Sequence, residues 1–270
     1  MNLIESDIQA NSLRLHVYRT ATQKPPLVFA HGMSDNGLCY WPIARHFADH
    51  FEIILYDARS HGLSEETGPD GASTLDRAHD LAGLVKVLGL DKPFMIGHSM
   101  GAVTISLFAG LYPDLPGRIV LEDPPPFRVM AATSEEALEG RKQWRNMAAE
   151  NKQKSIEELI DMNRRENPNW PEAERLPWAQ SKQQFSLAAF DEHFVGSETG
   201  GPIVAKITCP TLLITADLDK GAIYPPAAAK AWVATLPSGK HIHIAGAGHN
   251  IRREQPDVFV QALRGFLYAA

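Results

Sequence analysis

Apolar residues in this chain fall into short, nearly unbroken runs, each closed by a polar or glycine-rich turn. Leu27 to Ala30, Ile53 to Tyr56, Pro93 to Ile96, Arg118 to Leu121 and Pro210 to Ile214 are such runs. Runs without alternation predict strands covered on both faces, as in a parallel sheet. Residues 5–19 alternate instead, with Leu13, Leu15 and Val17 beyond an Ala10-Asn11-Ser12 turn, and predict an opening antiparallel hairpin. Lys240 to Gly246 is the last predicted strand.

Segments with helical spacing lie between the runs. Ser73 or Thr74 can cap a helix reaching about Leu88, whose apolar positions Leu75, Ala78, Leu81, Val85 and Leu88 share one face, and Gly89 ends it. Further helices are predicted over Trp41 to His50, Ala102 to Leu111, Pro226 to Leu236 and Gln255 to Ala269, the last with Pro256 in its first turn. Regular alternation of strand and helix predicts an α/β fold with a doubly wound parallel sheet.

The texture changes between Phe127 and Ala205. Charges become dense, and helical patterns (Glu135 to Asn151, Ile156 to Arg165, Gln180 to Ala189) are interrupted by Pro168, Pro171 and Pro177. The expected organisation is a core of residues 1–126 and 206–270 carrying an inserted helical cap, 127–205. Met130, Trp144, Met147, Trp170, Trp178, Phe185 and Phe190 in the cap can face a pocket or pack the cap onto the core.

Composition narrows the function classes. The 270 residues suit one large domain with an insertion, and 44% hydrophobic with 21% charged residues is ordinary for a globular enzyme. A net charge of −6 argues against nucleic acid or an anionic membrane surface as partner. Cys39 and Cys209 are too few and too far apart for a disulfide framework or a metal site, and are expected to be reduced, packed thiols. The first residues lack the basic start and apolar core of a signal peptide, and no run approaches the length of a membrane span, so a cytoplasmic location is expected.

Candidate chemistry concentrates at Gly97-His98-Ser99-Met100-Gly101, between a predicted strand and a predicted helix. A serine on so sharp a turn is held in strained geometry with its hydroxyl projecting, and small residues two positions away on either side let strand and helix approach. The spacing alone arises by chance in roughly one such sequence in ten, so context carries the weight. Ser99 is the candidate nucleophile. It needs a base, and the base needs an orienting acid. His249, one of 11 histidines, follows the last predicted strand on a glycine-rich loop. Loops at the carboxyl ends of parallel strands converge on one crevice, which lets the two meet. Three carboxylates lie at strand ends: Asp219, favoured by its loop, then Asp123, and Asp217, which local backbone bonds can occupy. The N–H groups of Met100 and of Met33, in the His31-Gly32-Met33 loop, are the candidate oxyanion donors, each typically worth a hundredfold or more in rate. His31 is expected to shape that loop.

Four elements in order resemble the α/β-hydrolase superfamily: His31-Gly32-Met33, Asp57-Ala58-Arg59-Ser60-His61-Gly62-Leu63-Ser64, the Ser99 motif, and Gly248-His249 with Glu254 and Pro256 behind it. The resemblance spans the chain except the cap. It implies a mostly parallel eight-stranded sheet with helices on both faces, a Ser99-Asp219-His249 triad, a Met33/Met100 oxyanion hole, and no metal or cofactor. Ser60 and Ala216 stand where such chains usually carry glycine; the second leaves Asp217 and Asp219 both open. A serine nucleophile argues against dehalogenase or epoxide hydrolase chemistry. The resemblance implies a carboxylesterase for small esters or lactones, and Gly32 to Trp41 resembles enzymes that open acyl-homoserine lactones. Trp41, Met130 and Trp144 are the expected substrate contacts. Carbon–carbon hydrolases, perhydrolases, cofactor-free lyases and receptors with an idle triad use the same scaffold.

Overall fold

The computed structural model describes residues 3–67, 73–127 and 133–269. The apolar runs become β3 (Pro26–Ala30), β4 (Glu52–Tyr56), β5 (Phe94–His98), β6 (Arg118–Glu122) and β7 (Thr211–Thr215). The hairpin supplies β1 (Ile4–Ala10) and β2 (Leu13–Arg19), turning at Asn11 and Ser12 with φ of 50° and 63°. With β8 (Gly239–His243) they form one eight-stranded sheet in the order β1-β2-β4-β3-β5-β6-β7-β8. The β1–β2 and β2–β4 pairs are antiparallel and the other pairs parallel.

Both faces of the sheet are dry over its central strands, while β1 and β8 at its edges are largely exposed. Val28, Ala30, Ile54 and Met95 point to one cluster, which includes Leu81 and Leu84 of helix α2 (Thr74–Val87) and Val103 and Phe108 of α3 (Met100–Leu111). Leu27, Phe29, Ile53 and Ile96 point to the other, against Tyr40, Phe47 and the terminal helix residues Phe259 and Leu263. Burial on both faces explains why these strands read as continuous apolar runs. Ser73 caps α2 reciprocally with Asp76, satisfying two backbone donors. The helix expected over 41–50 is broken into α1 (Trp41–Ala44) between two 3-10 turns, Gly37–Tyr40 and Arg45–Phe47. Cys39 and Cys209 are buried free thiols.

Between β6 and β7 the chain forms α4 (Glu135–Asn151), α5 (Ile156–Glu166), α6 (Glu172–Gln184), a 3-10 turn (Leu187–Asp191) and α7 (Ser197–Val204). Pro177 sits inside α6 rather than ending it. At the sixth position it forfeits one backbone bond, and buried Trp178, Ala179 and Ser181 hold the helix together. Leu159, Trp170, Trp178 and Ala179 form a small core of their own. Helix α7 instead lies on α3, so close that a Cβ on Gly110 would stand 2.1 Å from the Ile203 carbonyl oxygen. The insertion is thus part cap and part core packing. Helices α8 (Pro226–Val233), α9 (Ile251–Glu254) and α10 (Pro256–Leu267) complete the chain.

Register decides where the chemistry emerges. Ala30 pairs with Gly97, His98 with Glu122, and Glu122 with Ile214, so β3, β5, β6 and β7 end side by side. The loops that leave them start at one level.

Candidate active site

Ser99 links β5 to α3 with φ 51° and ψ −115°, a conformation an L-residue adopts only under constraint. The constraint is close packing: a Cβ on Gly101 would stand 2.1 Å from the Ala30 carbonyl oxygen, and one on Gly97 2.5 Å from that of Gly101. The Ser99 N–H donates to the Glu122 carbonyl, fixing the turn to β6. Half-buried, Ser99 borders a cavity of about 410 Å³ between the sheet end and the insertion.

His249 borders the same cavity. Its Nδ1 lies 2.7 Å from Asp123 Oδ2, and the two side chains are 25% and 0% exposed. The carboxylate only accepts, so Nδ1 carries the proton and Nε2 is left with its lone pair, without a protein partner among the described residues. No hydrogen bond joins the Ser99 hydroxyl to this ring among the described residues; such contacts commonly tighten only with substrate bound.

The carboxylate that bonds His249 is Asp123, not the Asp219 expected from the sequence. Asp123 follows β6 directly and has φ 40°, a second constrained residue at the sheet end. Its carboxylate accepts the N–H groups of Ile223 (2.8 Å) and Tyr224 (2.9 Å) as well as His249. The loop after β7 therefore supplies donors to the acid rather than the acid itself. Asp219 lies exposed on the 3-10 turn Leu218–Lys220 of that loop. Asp217 is taken up locally, accepting from Gly246 N–H at 2.7 Å and pairing with His243 at 2.9 Å.

Met100 opens α3, where a backbone N–H has no intrahelical acceptor. The Met33 N–H is likewise without a partner among the described residues, and Met33 borders the cavity. His31 holds the Met33 loop as expected of it: Nδ1 donates to the Gly32 carbonyl (2.8 Å) while Nε2 accepts from Ala58 N–H (2.9 Å). Burial first of all pushes the His31 pKa down, in keeping with a neutral ring. Behind the loop, Asp35 meets Lys182 of α6 at 3.4 Å and Arg252 and Arg253 at 2.8 and 3.0 Å. Burial works to raise the Asp35 pKa, but these three cations overcome it and leave the carboxyl well below the usual range. Arg253 also binds Glu174 of α6, so the insertion and the sheet-end loops share one buried charge cluster.

The cavity wall is mixed: apolar side chains supply most of its surface, and acidic ones, Asp35, Glu150 and Glu166, stand among them. Trp144, Met147, Trp170, Trp178 and Phe185 line it, with Lys154, Lys182 and Arg253 among its polar residues. Phe190 packs on Trp144 and Phe185 instead of lining it. Trp41 is not on the wall either: it packs against the core cluster beneath the sheet. Met130 lies outside the described residues. The Asp35 cluster has no simple sequence signal, because its members are scattered over more than two hundred positions.

A family model described as the alpha/beta hydrolase family matches residues 27–262. The chain is 28% identical to a 2-(acetamidomethylene)succinate hydrolase of Mesorhizobium japonicum over 91% of its own length and 88% of that protein's. It is 26% identical to an N-formylmaleamate deformylase of Pseudomonas putida, covering 97% and 95%. Among solved structures, a thermophilic esterase from Thermogutta terrifontis with malate bound is 26% identical over 98% of both chains, at a TM-score of 0.72. With the strained serine turn, the eight-stranded sheet and the matched model spanning most of its length, the chain belongs to the alpha/beta hydrolase family, and it is a hydrolase.

Proposed function

We propose that the protein hydrolyses small carboxylic esters or lactones through an acyl-enzyme formed on Ser99, with His249 as base and Asp123 as the orienting acid. The observation that carries this reading is the His249–Asp123 bond at the wall of the cavity that Ser99 borders. Ser99 Oγ attacks the carbonyl carbon and His249 Nε2 takes its proton; Asp123 stabilises the imidazolium that results. The N–H groups of Met33 and Met100 receive the charge that develops on the carbonyl oxygen. Collapse expels the alcohol, which takes the proton from His249. Water then attacks the acyl-enzyme with His249 again as base, releasing the acid and restoring Ser99.

The wall of Trp and Met side chains suits a small, largely apolar acyl group, acyl-homoserine lactones included. A second reading is favoured by two of the relatives, whose names denote N-acyl compounds bearing carboxylates: the same three residues would then cleave an amide carbonyl. A panel of p-nitrophenyl esters, acyl-homoserine lactones and N-acyl amino acids, followed by acid release, separates the two. Turnover of the esters or lactones is expected, abolished in Ser99→Ala. Turnover of the amides alone transfers the reading to them, and activity surviving in Ser99→Ala overturns the nucleophile.

A further inference from the structure

The loop that carries the base is pinned on three backbone groups. Glu254 accepts from the N–H of Gly248 at 2.8 Å and of Asn250 at 3.3 Å, so one carboxylate holds the donors on either side of His249. The His249 carbonyl between them is held from the end of β5, by Nε2 of His98 at 2.8 Å. A carbonyl only accepts, so His98 Nε2 carries the proton and Nδ1 is a bare lone pair. That Nδ1 is buried and has no partner among the described residues. It faces Gly32, where an added Cβ would stand 2.6 Å from it. The His98 ring also lies against the His249 ring, centroids 4.5 Å apart at 43°.

One imidazole, adjacent in sequence to Ser99, therefore touches both the oxyanion loop and the base. The position is costly for a polar side chain, since an unpaired buried acceptor disfavours folding and an apolar residue of similar size would avoid it. An apolar residue could not hold the His249 carbonyl. We propose that His98 is a positioning residue of this hydrolase: its Nε2–H sets the His249 imidazole at working height over Ser99, while its bare edge sets the spacing of the Gly32-Met33 loop. The inference rests on the Ser99-His249-Asp123 reading. It requires a neutral ring, because a second cation beside His249 would oppose the imidazolium formed during attack. Burial, then the charges of Arg252, His249 and Arg253, hold His98 well below the ordinary histidine range, with Asp35 opposing.

Isosteric substitutions test the role. A glutamine at position 98 places its amide nitrogen where Nε2 was, within reach of the His249 carbonyl; an asparagine places its amide nearer Nδ1 and falls short. His98→Asn and His98→Ala are expected to lower kcat about tenfold to a hundredfold, with KM within about threefold, because a misaligned base loses chemistry rather than binding. His98→Gln is expected to keep kcat within about threefold of the parent. Rates are expressed per active site, titrated by the burst with p-nitrophenyl acetate, so a variant that merely folds poorly loses sites without losing kcat. Equal kcat per site in the Gln and Asn variants, or an unchanged kcat in the Ala variant, overturns the proposal. Ser99→Ala alongside keeps two failures apart. Activity surviving there overturns the triad reading and this proposal together; activity lost there with Gln and Asn alike overturns this proposal alone.

Discussion

Two aspartate–histidine pairs stand at neighbouring strand ends, and they are built alike. Asp123, after β6, accepts two backbone N–H groups and binds His249; Asp217, after β7, accepts one and binds His243. What differs is the far side of each ring. His243 spends both nitrogens, Nε2 on Asp217 and Nδ1 on the Thr215 hydroxyl at 3.2 Å, and its side chain is 35% exposed. His249 keeps Nε2 free among the described residues and turns it toward a cavity that also holds a strained serine. Its carboxylate partner is wholly buried, whereas Asp217 is 21% exposed. A carboxylate beside an imidazole does not make a base; a base also needs an unspent nitrogen, a dry partner and a nucleophile at the same cavity.

Substituting each carboxylate in turn separates the two pairs. Asp123→Asn keeps the shape but lets the amide donate to Nδ1, which moves the His249 proton to Nε2, the nitrogen that must accept. A loss of about 10³ to 10⁴ in kcat is expected from a wrong tautomer of this kind. Asp217→Asn is expected to leave kcat/KM within about twofold, since an exposed pair without a free nitrogen has no part in the chemistry. Steady-state kinetics on both variants decides it, and comparable losses would make the two pairs equivalent.

A smaller effect sharpens the difference between buried and exposed histidines. His31, His61 and His98 are all buried with pKa values pushed down, in each case by burial first. The unfolded chain takes protons onto these rings below about pH 6.5, while the folded chain does not, so stability falls as pH drops through that value. The lowered pKa of Asp35 adds a second loss below about pH 4, where the unfolded carboxylate binds the proton that the folded one refuses. Thermal melts should shift to lower temperature by several degrees between pH 7.5 and 5.5. Asp57, Glu122 and Glu192, whose pKa values burial raises, take up protons in the fold and oppose this loss, so a flat profile over that range would mean that they offset the buried rings in full.

How far the sequence reveals this site depends on whether a feature is local. The central strands β3 to β7 are legible because both faces of each are buried, which writes the whole strand as an apolar run. The helix start at Ser73 and the serine turn are legible because the residues that cause them sit within a few positions of one another. The choice of acid is not local. Asp123 and Asp219 both lie between Ser99 and His249 in chain order, and what separates them is where the amides of Ile223 and Tyr224 point. One signal is local: Asp123 directly follows the strand beside β5, and the prolines at 124, 125 and 126 leave its loop without N–H donors of its own. Trp41 misleads for a similar reason, since its one-turn helix packs its ring against the core and away from the cavity. The Asp35 cluster joins residues more than two hundred positions apart and exists only in the folded chain.

If this fold turns the Ser99 hydroxyl into a nucleophile, a covalent trap will find it there. After inactivation with an organophosphorus ester such as paraoxon, peptide mass mapping should find a diethylphosphoryl group on Ser99, with activity lost in proportion. Inactivated protein whose Ser99 peptide is unmodified, or a label carried by any other residue, would contradict the account.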